Sequence, residues 1–359
     1  MDFRENARAE KRWLIDMPSE EIHPFMHGAT PLRPACSVRR TSSMEMQWPE
    51  GFDRDMLIVG RARDALTVDP ASPPEALSED HLRLEVTPGK KLITSIASTP
   101  AIDLASLVGD SAVVGLRRRL QDILRDQALT GRPIALLLDD IVGCNIISGW
   151  VRTRWIADCA ERIERLGNLS RMENVCIAFK SGSQAMRDGN YIDKVDYVEP
   201  IQIGEDEHAF HALSPDRDRT MRRLRRVDVW REGEMLAVDA MFQDSAVLRG
   251  TRRAAVHQYR LYAMIDARTE TLVSVTAVPI ILPHNECHNA PATLEGLIGL
   301  PMAELRIRIL RQLRGPLGCT HLNDAMRALA EVPVLARLMP HGSRSNPRAV
   351  AQSINQSNS

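Results

Sequence analysis

At 359 residues, 44% of them hydrophobic, the chain is long enough to bury more than one core. Its 46 basic and 47 acidic side chains nearly cancel, which removes the global field that would draw it to nucleic acid or an anionic membrane. The charged opening MDFRENARAEKRWLIDM lacks a signal-peptide core, and no run approaches the roughly 18 apolar residues of a membrane span, so a cytoplasmic location is expected.

Residues 1–35 read as a charged arm with one helix ending before Pro18 and a Pro- and His-bearing connector. Residues 36–150 and 221–338 then repeat one pattern, which predicts an α+β fold made of two diverged copies of a small antiparallel sheet with helices. Each copy opens on an Arg-Arg pair (Arg39-Arg40, Arg222-Arg223) and continues as strand, glycine turn, strand, with the turns at Gly51 and Gly233. A hairpin follows, turning at Pro88-Gly89 in one copy and near Asp266 to Thr269 in the other. LASLVGDSAVVGLRRRLQDIL then matches LEGLIGLPMAELRIRILRQL, whose apolar residues recur at helical spacing from Leu294 to Leu313, interrupted by Pro301. Between the copies, residues 151–220 start as a helix through WIADCAERIERLG and become an irregular acidic stretch, while residues 339–359 form a polar tail too poor in apolar residues to order itself.

The copies differ where chemistry can enter. By this alignment the second copy gains roughly eleven residues between hairpin and helix, among them the loop PHNECHNAP. Six cysteines in a chain of this size fit a reducing compartment, so their clustering reads as metal or thiol chemistry and not as a disulfide framework. Residues 284–321 hold His284, Cys287, His288, Cys319 and His321. The first three, spaced i, i+3, i+4, would share one face of a helical turn. Cys319 follows Gly315-Pro316-Leu317-Gly318 and would open the helix THLNDAMRALA, where the dipole favours a thiolate. The first copy has Ala97 near the place of Cys287 and no counterpart of His321, and Cys144 in Gly143-Cys144-Asn145 aligns only loosely with Cys319, so it reads as the degenerate structural partner.

These residues predict a site for zinc or iron held by Cys287, Cys319 and His321, with His284, His288 or water in the fourth position. An open position would suit metal-assisted hydrolysis or lyase chemistry on a small molecule, with Glu286 as general base. Two alternatives stand beside it: a non-catalytic accessory protein with a structural metal site, and a metal-free thiol enzyme using Cys319. Neither a nucleic acid nor a membrane is expected as partner. Two other features read as structural, Leu136 to Asp140 as a buried strand with a capping acid and Arg222, Arg223, Arg225 and Arg226 as a solvated charged face.

The stretch Gly318-Cys319-Thr320-His321-Leu322, with Cys287 before Ala290-Pro291 and Leu297-Ile298-Gly299, resembles an uncharacterised bacterial family, domain of unknown function 2889, best over residues 221–335. The opening of copy one, Arg39 through Asp64, resembles longer members of that family. The resemblance implies that Cys287, Cys319 and His321 belong to the family motif. A more distant likeness, carried by Cys319 to Met326 as a cysteine opening the last helix, is to iron-sulfur cluster scaffold proteins, and it implies a fold of antiparallel sheet and helices.

Overall fold

The computed structural model describes residues 30–127, 129–155, 172–187, 196–197, 206–250 and 253–340. Most of the N-terminal arm, Cys159 and its expected helix, and the polar tail lie outside the described residues.

Among the described residues, nine strands form one antiparallel sheet: β1 (Ser37–Gln47), β2 (Met56–Thr67), β3 (Glu75–Val86), β4 (Ile93–Thr99), β5 (Asp196–Tyr197), β6 (Thr220–Glu232), β7 (Met235–Val247), β8 (Arg253–Asp266) and β9 (Thr271–Ile281). The sheet runs β4-β3-β2-β1-β6-β7-β8, with β9 and the short β5 both on the outer edge of β8. Helices α1 (Leu116–Asp126) and α2 (Pro133–Trp155) follow the first four strands. Helix α3 (Gln184–Arg187) lies in the connection, and α4 (Met302–Gln312), α5 (Thr320–Ala328) and α6 (Val332–Arg337) follow β9. The class is α+β, as the sequence predicts.

Each half is a four-strand meander in the same order, and the halves meet where β1 pairs antiparallel with β6. Side chains follow the same relation. Arg39 bonds Asp228 directly across that pair at 2.5 and 2.8 Å, and Arg222 bonds Glu45 directly across it from the other strand. On the other face of the sheet, Arg40 forks onto Asp64 of β2 at 2.6 Å through both nitrogens, and Arg223 forks onto Asp244 of β7 at 2.8 and 2.9 Å. The turn before the first long helix of each half is also shared. The N–H of Gly109 donates to Ile93 O and the N–H of Ile93 donates to Asp110 O, while Gly299, Leu272 and Leu300 repeat the arrangement. Both glycines have φ near +90° (89° and 88°), a conformation that costs any other residue. Pro301 then supplies extended backbone at the N-cap of α4, so the helical period from Leu294 to Leu313 divides into a 3-10 turn, Pro291–Leu297, and α4.

The helices cover one face of the sheet. Two apolar cores lie beneath them, one joining β1–β4 to α1 and α2, the other joining β6–β9 to α4–α6. Helix α2 overturns the expected strand at Leu136 to Asp140: a continuous apolar run reads equally as a buried strand or a buried helix, and here it is helix over 23 residues. By length and composition Pro133–Arg152 could cross a membrane, yet 83% of that stretch is buried inside the fold. The arginine cluster is the second correction. Arg222, Arg223, Arg225 and Arg226 are buried, not solvated, each paired with carboxylates, because the central strands have both faces covered.

Candidate metal centre

The site grows from one row of residues across the sheet. Arg223 on β6 stands opposite Asp244 on β7, which stands opposite His257 on β8, all with side chains toward the helices. Helix α5 lies above the row and contributes His321. Its imidazole stacks on that of His257, with ring centroids 3.4 Å apart and planes 17° from parallel. Asp244 Oδ2 lies 3.7 Å from His257 Nδ1 and 3.8 Å from His321 Nε2. These separations are too long for hydrogen bonds. They suit a shared cation, since ligand atoms about 2.1 Å from a tetrahedral ion stand about 3.4 Å apart. Among the described residues this is the group of metal-ligating side chains whose atoms all lie within 4.8 Å of one another.

The electrostatics keep both rings available as ligands. Burial lowers the His257 pKa well below its ordinary value, helped by His321 and opposed by Asp244. Burial, then Arg223, bring His321 down to about 3. Both are neutral near pH 7, so one nitrogen of each ring carries a free lone pair. His257 Nδ1 is buried without a hydrogen-bond partner. Thr320 Oγ1 lies 3.3 Å from His321 Nδ1, and in the tautomer that donates its ring proton to that hydroxyl Nε2 is open toward Asp244. The fork from Arg223 fixes the Asp244 carboxylate but uses only two of its roughly four acceptor positions.

On the same face of the sheet, Arg223 and Arg225 also reach Asp140 on α2 and Asp324 on α5, tying both helices to the sheet. Burial alone would raise the Asp324 pKa, but Arg327, Arg117 and Arg223 outweigh it and hold the carboxylate far below the usual range. Gly143 makes this convergence fit, because a Cβ there would lie 1.9 Å from Arg223 Nη1. His321, 13% exposed, is reached from a cleft of about 200 Å³ between α1 and α2 on one side and α4 and α5 on the other. Arg117, Arg314, Thr320 and Asn323 also line it.

Of the residues expected to bind metal, His321 stands in this compact group. Cys319 is the N-cap of α5, buried, and its Sγ lies 3.5 Å from the hydroxyl of Tyr259, two residues along β8 from His257. Burial pushes its thiol up despite that contact. Cys287 sits in a 3-10 turn (Asn285–Asn289) and packs in a small apolar cluster with Cys176 and Ala178. His284 stands edge-on to Phe179, centroids 5.4 Å apart, and its Nε2 is buried without a partner. His288 is exposed. Glu286 turns to α3, where its carboxylate accepts the N–H of Gln184 at 2.6 Å.

Sequence reasoning missed Asp244 and His257, since neither lies in a Cys/His-rich segment. The signal was present as ionisable residues at inward positions of alternating strands, in MFQDSAV and AVHQYRLY.

No curated protein and no solved structure matches the chain. Residues 221–335, which carry Asp244, His257, Cys287, Cys319 and His321, match the model of a family described as a protein of unknown function, DUF2889.

Proposed function

We infer that this chain is a metal-binding protein whose centre, for zinc or iron, is formed by Asp244, His257 and His321. The observation that carries the reading is the convergence of one carboxylate oxygen and two neutral imidazole nitrogens, from β7, β8 and α5, within 4.8 Å. Two imidazoles with one carboxylate is a ligand set used by both metals. When bound, such an ion supplies Lewis-acid or metal-hydroxide chemistry. The residues of this chain hold it, orient its carboxylate through Arg223 and connect it through His321 to the cleft, which is of a size for a small molecule. Glu286 is engaged with α3 and is not needed as a base in this reading. The near-complete burial of Asp244 and His257 equally suits a structural, non-catalytic ion. A metal-free thiol enzyme is less well supported, because burial keeps the Cys319 thiol protonated. The shared strand order, the paired arginines and the matching glycine turns support the further reading that the halves are diverged copies, the second having kept the site.

Calorimetric titration of metal-free protein with zinc tests the proposal. The wild type should bind tightly, and His257→Ala and His321→Ala should each weaken binding at least about 100-fold. Equal affinity in all three proteins would refute it.

A further inference from the structure

The cleft that reaches His321 carries a surplus of positive charge, and the surplus sits on one residue. Four arginines line it and a smaller lobe of about 120 Å³ beside it, the two lobes sharing Arg117, Leu310 and Arg327. Three of the four are held by carboxylates. Arg117 reaches Asp324 at 3.1 Å, Arg306 reaches Glu331 at 2.6 Å, and Arg327 reaches Asp324 at 2.7 Å and Asp139 at 3.1 Å. The fourth, Arg314, lines the larger lobe, is exposed, and has no carboxylate partner among the described residues.

An exposed arginine on its own is a solvated side chain, but the backbone beneath this one is fastened on every side. The turn between α4 and α5 is closed by the N–H of Leu317, which donates to Arg314 O at 3.2 Å. Just before it, Asn323 Nδ2 donates to Leu313 O at 2.7 Å, and just after it Ile177 N–H donates to Gly318 O at 2.9 Å. Cys176 bridges to Gly315, an approach only glycine permits, because a Cβ there would lie 2.8 Å from Asn174 O. A free guanidinium on a fixed backbone lowers the ordering cost that a ligand would otherwise meet. Beside it, Ile146, Leu310 and Leu313 give the same lobe an apolar wall.

We propose that the ligand of this cleft is a small monocarboxylate, its carboxylate paired with Arg314 and its hydrocarbon body against Ile146, Leu310 and Leu313, in the space that reaches His321. The planar fork of a guanidinium matches a carboxylate in shape and charge. One surplus positive charge suits a monoanion. A phosphate ester, with about two negative charges, would be left half balanced where the other arginines are already paired. The proposal names the substrate class of the metal centre and rests on that reading for its chemistry, but the contact with Arg314 needs no metal.

Metal-free full-length protein is therefore titrated with benzoate and with benzamide, its uncharged isostere, while the amide resonances of Leu313 and Thr320 are followed. Benzoate should bind at least about tenfold more tightly than benzamide. Arg314→Gln should abolish that preference, and Arg314→Lys should keep part of it. The Arg314 side chain makes no ion pair within the fold, so the variants keep the structure, and zinc affinity measured on Arg314→Gln should match the wild type. Equal affinity for the two probes, or a preference that survives Arg314→Gln, would overturn the carboxylate site even in a protein that binds zinc at Asp244, His257 and His321. A preference that depends on Arg314 in a protein that binds no zinc would uphold the carboxylate site and remove the metal centre.

Discussion

His321 lies flat against His257, ring centres 3.4 Å apart, although one stands on a helix and the other on a strand. The stack has two separable contributions, ring contact and nitrogen lone pairs. A stacked ring pair is worth about 1 kcal/mol beyond its area. His321→Phe should therefore retain most of the stability that His321→Ala loses, while neither variant binds zinc. Denaturant unfolding together with zinc titration distinguishes the outcomes, and metal affinity retained in the Phe variant would remove His321 from the ligand set.

Gly143 sets helix propensity against packing. In an exposed helix, glycine to alanine gains about 1 kcal/mol. Here the new methyl would meet Arg223 Nη1 at 1.9 Å and Asp324 Oδ2 at 2.4 Å, inside a paired, buried charge network that cannot shift without losing bonds. Overpacking costs of about 1–3 kcal/mol, with a disrupted ion pair in addition, should prevail. Gly143→Ala should be destabilised in urea unfolding, and a more stable variant would show that the network yields.

The central strands predict paired mutational effects. Arg39 with Asp228 and Arg222 with Glu45 occupy equivalent places across β1 and β6, and all four side chains are at most 4% exposed. Arg222→Met leaves the buried Glu45 without its bonded partner, at about 3–5 kcal/mol, whereas Arg39→Met leaves Asp228 still paired with Arg226 and should cost less. Urea unfolding of both variants checks the order, and a larger loss from Arg39→Met would contradict it.

His211 gives a pH dependence away from the metal centre. Its ring nitrogens lie 2.8 Å from the hydroxyls of Thr41 and Ser43, and burial, then Arg61 and Arg63, lower its pKa from 6.5 to about 3. The unfolded chain therefore binds the proton more readily than the folded one. Stability is full above about pH 6.5 and falls progressively as pH drops toward 3. His211→Gln should flatten the slope of urea midpoint against pH between 6.5 and the carboxylate range. An unchanged slope would mean that His211 is not held neutral.

Much of this architecture was legible in local chemistry. Gly51 and Gly233 mark their turns, Pro88-Gly89 and Asp266 to Thr269 mark theirs, and the apolar period with Pro301 predicts α4 and its start. What was not legible depends on pairing between distant segments. Arg222 to Arg226 look like a solvated charge run until β1, β7, α2 and α5 enclose them with carboxylates. Leu136 to Asp140 carry no period that separates strand from buried helix. His321 could be singled out because it follows Cys319 in a dense Cys/His segment, but its partners Asp244 and His257 are single residues on strands that only the sheet register brings beneath it.

The most direct test of the metal centre is anomalous diffraction at the zinc edge from crystals of the full chain grown with zinc. The account predicts an anomalous peak within about 2.3 Å of Asp244 Oδ2, His257 Nδ1 and His321 Nε2 together, with one imidazole turned out of the stack to share the ion. Zinc density elsewhere, with these three side chains still arranged as they are here, would contradict it.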